Sequence, residues 1–200
     1  MAYYTATSGQ GSGGNSSAFL AYAGETPACV NTTSEFDGSS WSAGGNLIQA
    51  KSNTSGTGTQ DAALTAGGQY APALQLACTE EYNGSTWSSQ AAAPSCSRRG
   101  ALTGTQNAAL YFGGDCGNPG VAQSFTIEYD GSSWSSGGTM TTALQNLAGA
   151  GTQNATVSLG GGTPTVTSCV MGYNGTSWLA NGALNQVRLA HQAGGVFDNA

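Results

Sequence analysis

The chain has 200 residues, of which only 7 % are charged, and a formal net charge of −6. Its basic residues, Lys51, Arg98, Arg99 and Arg188, are too few and too scattered to line a phosphate-tracking groove, which argues against a nucleic-acid interface and against binding to an anionic membrane surface. Gly accounts for 32 residues beside a hydrophobic content of 38 %, a balance that fits short strands joined by small-residue turns better than a disordered linker.

Taken from the start, Met1-Ala2-Tyr3-Tyr4-Thr5 has neither a basic nor an apolar signal region, so the expectation is synthesis without a secretory signal. The absence of an apolar run of about 18 residues excludes a helical membrane span. Ala2 to Thr7 reads as a strand. Gly9-Gln10-Gly11-Ser12-Gly13-Gly14 fits a G-x-G-x-x-G spacing, but a dinucleotide fingerprint opens a helix, and Ser16 to Tyr22 reads as a strand. The glycines are therefore read as a turn.

Phe36-Asp37-Gly38-Ser39-Ser40-Trp41 follows, and it recurs as Tyr82 to Trp87, Tyr129 to Trp134 and Tyr173 to Trp178. An aromatic, an Asp/Asn-Gly pair, small hydroxyl residues and a Trp predict a β-hairpin, with the Asp/Asn-Gly pair supplying positive φ angles. The Trp intervals are 46, 47 and 44 residues. Gly-Thr-Gln recurs at Gly58, Gly104 and Gly151, and a Gly pair follows an apolar run at Gly67-Gly68, Gly113-Gly114 and Gly160-Gly161. In the first copy that run is degraded to Leu20 to Gly24.

Each unit reads as four strands, illustrated by Leu144 to Gly149, Ala108 to Phe112, Ser124 to Tyr129 and a fourth around the Trp. Four short strands per period of about 45 residues predict a β-propeller blade. The predicted fold is all-β: a single domain over 1–200, with blades at about 2–46, 47–92, 93–139 and 140–184 and a surplus strand within 185–200. That surplus strand, near Arg188 to Ala193, is expected to close the ring or to join a neighbouring chain, unless the sequence is part of a longer protein.

The apolar run before Gly113-Gly114, Tyr129 and Trp134, repeated in the copies ending at Trp87 and Trp178, resembles the kelch repeat. The resemblance implies a propeller with a scaffolding or binding role. The Gly-Thr-Gln-Asn-Ala-Ala and Tyr-Asp-Gly-Ser-Ser-Trp variants also look like repeats of large virion proteins from marine bacteriophages. That likeness implies a virion location, with other virion or coat proteins or glycans as partners.

Trp to the second Gly of the next pair spans 27 residues in every copy, whereas that Gly to the following Trp spans 17, 19, 20 or 17. Length variation is thus confined to the loop between the second and third strands, where binding on a rigid scaffold evolves. Tyr70, Asp115 and Asn118 in these loops are the candidate binding residues. Trp41, Trp87, Trp134 and Trp178, with Gly68, Gly114 and Gly161, are read as structural repeat positions, each Trp packing between neighbouring blades with its N–H satisfied.

The chemistry of an enzyme is thin. His191 is the only histidine and reads as a strand or loop residue. Glu80 and Glu81 are adjacent and point to opposite faces of a strand, and Glu35, Glu81 and Glu128 recur at one repeat position, which suits a structural role. Asn-x-Ser/Thr sequons such as Asn31, Asn83 and Asn174 are read as turn chemistry. The five cysteines, Cys29, Cys78, Cys96, Cys116 and Cys169, have no zinc spacing, and an odd count without a signal predicts free thiols. No cofactor and no metal are expected. The functional expectation is a non-enzymatic structural and attachment protein of a virion, binding glycan or host surface through the variable loops. An intracellular kelch-type scaffold is the alternative and a carbohydrate-active enzyme the third reading.

Overall fold

Runs such as Ala63-Leu64-Thr65-Ala66 and Ala108-Ala109-Leu110-Tyr111-Phe112 are short, apolar and bounded by glycine, and each becomes a strand buried along most of its length. The computed structural model describes residues 8–70, 74–117, 120–162 and 164–189. Among these residues there are eighteen strands, all paired antiparallel, and no helix.

Contacts divide the chain into two compact units, Met1–Arg98 and Arg99–Ala200. The first holds two four-stranded meanders. Sheet one comprises β1 (Gly11–Gly14), β2 (Phe19–Tyr22), β3 (Thr33–Phe36) and β4 (Trp41–Ala43). Sheet two comprises β5 (Ser55–Gly58), β6 (Ala63–Ala66), β7 (Thr79–Tyr82) and β8 (Trp87–Gln90). The two sheets enclose Leu20, Tyr22, Leu47, Tyr82 and Trp87.

The second unit repeats the plan. Sheet three runs through β9 (Ala101–Thr105) and β10 (Ala108–Phe112), then leaves the sheet for a two-stranded ribbon of β11 (Asp115–Cys116) and β12 (Val121–Ala122). It returns as β13 (Thr126–Tyr129) and β14 (Trp134–Ser136). Sheet four comprises β15 (Ala148–Thr152), β16 (Ala155–Leu159), β17 (Cys169–Tyr173) and β18 (Trp178–Ala183). Its core with sheet three contains Leu110, Phe112, Met140, Leu144, Met171, Tyr173 and Trp178.

The second strand of the third repeat lies where the sequence places it. The first strand of the fourth begins later, at Ala148 rather than Leu144, because Leu144 is held in a bridge to Gln123 in the preceding loop. The same junction recurs. The Gly24 N–H donates to the Lys51 carbonyl, Gly68 to Ser97, Gly114 to Leu144 and Gly161 to Arg188, each at 2.8 Å. The N-terminal strand expected at Ala2 to Thr7 and most of the surplus C-terminal strand, His191 included, lie outside the described residues.

The Trp hairpins differ from the expectation that both residues of the Asp/Asn-Gly pair supply positive φ angles. Phe36 pairs with Trp41, Tyr82 with Trp87, Tyr129 with Trp134 and Tyr173 with Trp178, leaving four residues in each loop. Only the glycine takes positive φ, between 86° and 92° at Gly38, Gly84, Gly131 and Gly175. The Asp or Asn acts through its side chain instead: Asp130 Oδ1 accepts the backbone N–H groups of Ser132 at 2.8 Å and Ser133 at 2.7 Å. Asn83 Oδ1 takes the same two bonds from Ser85 and Thr86.

Candidate functional site

Within each compact unit the Trp hairpin of the second sheet builds a clasp to the first. In the first unit the Trp87 indole N–H donates to Thr33 Oγ1 at 2.9 Å, and the Tyr82 hydroxyl donates to Glu35 Oε1. In the second, Trp178 donates to Thr126 Oγ1 at 2.8 Å and Tyr173 to Glu128 Oε1 at 2.6 Å. Glu35 and Glu128 are therefore anchors of the hairpin in the following sheet of their unit. Burial, and then the hydrogen bond to Glu35, pushes the Tyr82 hydroxyl up to about 12, and Tyr173 shifts to about 12 for the corresponding reasons.

The glutamine of Gly-Thr-Gln completes the clasp, a role its turn position did not signal. Gln60 Nε2 donates to the carbonyls of Phe19 at 3.2 Å and Phe36 at 3.0 Å. Gln153 Nε2 donates to Ala109 at 3.1 Å and Tyr129 at 2.8 Å. Each Gln ties the second and third strands of one sheet to the first turn of the next. Its fixed phase, 19 residues after a Trp, was the available clue. Trp87 and Trp178 pack between sheets, with Tyr22 at 4.7 Å and Phe112 at 4.9 Å between ring centres. Gly68 and Gly161 sit beside the backbone that leads into the first strand of their own sheet, at Ser52 and Gln145 respectively.

Each unit holds a buried carboxylate paired with a cation. The Lys51 ammonium and Glu80 carboxylate are both buried and 3.0 Å apart, with the Ile48 N–H donating to the same carboxylate at 2.7 Å. Glu81, its neighbour, faces the other side of β7 and is half-buried. Arg99 lies 3.8 Å from the buried Asp115 carboxylate. Asp115 is thus an internal anion at the base of its loop and not part of the loop's outer surface. Asn118 lies outside the described residues. Tyr70 is 46 % exposed, as its loop position requires.

The loops also display apolar side chains that length variation alone did not flag. Leu74 is 54 % exposed, Val121 62 % and Val166 39 %, each between the second and third strands of its sheet. In an antiparallel meander this connection leaves the end of the sheet opposite the two hairpins, so Leu74, Val121 and Val166 lie at the other end of their sheets from the Asp/Asn-Gly turns.

The cysteine expectation is corrected in part. Cys29, Cys78 and Cys169 are free thiols, but Cys96 and Cys116 are disulfide-bonded. Parity shows only that one thiol must be left over; which ones meet is decided by the fold. Among the described residues, no three His, Cys, Asp or Glu side chains come together in a way that could hold a metal ion, and no helix is long and apolar enough to cross a membrane.

Fold and clasp define an all-β protein of repeated antiparallel meanders. The chain matches no model of a known protein family and no curated protein.

Proposed function

We propose that the chain is a non-enzymatic β-propeller of kelch-like blades, serving as a structural and attachment module of a phage virion, with recognition carried by the loops between second and third strands. The observation that carries this reading is the division of labour within each sheet. The recurring Trp, Tyr, Glu, Thr and Gln side chains are consumed in holding sheets together, while exposed Tyr70, Leu74, Val121 and Val166 stand on the loops of variable length. Aromatic and aliphatic side chains on a rigid frame suit stacking against sugar rings or a protein surface. The disulfide-bonded Cys96 and Cys116 suit an extracellular particle.

The test is binding of the purified chain to a glycan array, with Tyr70→Ala and Val121→Asp as loop variants. Binding without turnover, weakened by the loop variants and unaffected by Gln60→Ala, is the expected result. Release of cleaved sugar would replace this reading with the enzyme. The apolar character of the loop side chains also favours a second reading, a scaffold that binds another protein. Capture of one defined protein partner, lost in the same variants and without glycan binding, is its signature.

A further inference from the structure

The repeats are not uniform at their ends, and the exceptions match one another. On sheet one, the face corresponding to the clasped face of sheets two and four carries Phe36 where the others have Tyr82 and Tyr173, so the hydroxyl that a Glu would hold is missing. Ser16 stands at the position of Gln60 and Gln153, and Phe19 at that of Ala63 and Thr156. Phe19, Phe36 and Trp41 line an open cleft of about 410 Å³ together with Gly14, Asn15 and Ser16.

On sheet four, the face that would receive a following sheet is altered in the complementary sense. Val170 replaces the Thr33 and Thr126 hydroxyls, Gly172 replaces Glu35 and Glu128, and Leu179 replaces the serine after the other three tryptophans. Leu179 is 62 % exposed, and Val157, Leu159 and Val170 are half-buried. The Gly161 N–H bond to Arg188 reproduces the junction that elsewhere precedes another sheet.

We propose that the apolar face of sheet four docks on the Phe19–Phe36–Trp41 face of sheet one in a second copy of the chain, forming a head-to-tail junction. The chemistry agrees side by side. A carboxylate is absent where the opposing hydroxyl is absent, a glycine makes room where an alanine has become phenylalanine, and both faces are apolar. The junction extends the sheet-on-sheet packing already present within each unit. Because the two faces differ, the contact is heterologous and generates a ring or a filament. It is independent of what the loops bind.

The full chain is tested by sedimentation over a range of concentrations. Leu179→Asp disables one face and Phe19→Ser the other. Ser16→Arg, at an exposed position, serves for the second face if Phe19→Ser does not fold. The wild type is expected to exceed the 19.9 kDa monomer mass, and each variant to self-associate at least about tenfold more weakly. An equimolar mixture of the two variants should form a heterodimer, since each supplies the face the other lacks. A wild type that stays monomeric at every concentration overturns the proposal, as do variants that fail to associate when mixed.

Discussion

At the residue scale the turn aspartates make a clear electrostatic statement. The backbone N–H of Ser133, followed by the Ser132 hydroxyl and N–H, holds the Asp130 carboxyl down at about 2, and the equivalent bonds from Ser40 and Ser39 lower Asp37 further. A carboxyl depressed in the folded state contributes stability that is complete above its unfolded pKa and is lost as pH falls through the folded value. Melting temperature should therefore drop between pH about 4 and about 2. Asp37→Asn with Asp130→Asn should flatten that drop while keeping the turns, because Asn83 and Asn174 already make them with an amide oxygen. A second prediction concerns Gln153. Its replacement by Ala strips two carbonyls of their donor, and denaturant unfolding of the chain should show a loss of about 1–3 kcal/mol.

At the scale of elements, glycine after the fourth strand governs how closely sheets approach. A Cβ on Gly138 would collide with the carbonyl of Thr176 in the neighbouring hairpin, and one on Gly45 would meet Ser85 in the same way. The obstacle is backbone rather than a side chain that can swing away. Gly138→Ala should lower stability by about 1–3 kcal/mol through overpacking, read as a shift in the chemical-denaturation midpoint. The Lys51–Glu80 pair sets a different kind of constraint. Lys51→Met leaves a buried carboxylate and should cost about 3–5 kcal/mol, whereas Lys51→Met with Glu80→Gln should recover much of that. A double-mutant cycle on unfolding free energies measures the difference.

For the molecule as a whole, the Tyr–Glu clasp occurs in both compact units, so alkaline conditions should weaken both together. Tyr82 and Tyr173 titrate at about 12 when folded, against 10.0 for an unperturbed tyrosine. A tyrosine raised in this way favours the folded state fully below pH 10.0, and the advantage disappears as pH climbs to about 12. Spectrophotometric titration at the tyrosinate band should show these two groups ionising late. Tyr82→Phe with Tyr173→Phe should remove two late-ionising groups, leaving Tyr22, whose hydroxyl burial also raises, and reduce the pH dependence of melting between pH 10.0 and about 12.

The repeat and its strands were legible from residue order alone, because they rest on local chemistry. Two-residue alternation, glycine with positive φ and a hydroxyl-rich turn can be read without knowing what lies across the sheet. The fixed phase of the Trp and the variable loops were legible for the same reason. Partners between sheets were not: that Gln60 reaches Phe19 and Phe36, that Glu35 holds Tyr82, or that Asp115 turns inward toward Arg99 depends on residues far apart in sequence. The oxidation of Cys96 and Cys116 belongs with these. Local bonding determines the strands and turns of this chain, whereas long-range packing alone decides which of its polar groups are spent on cohesion and which are left exposed.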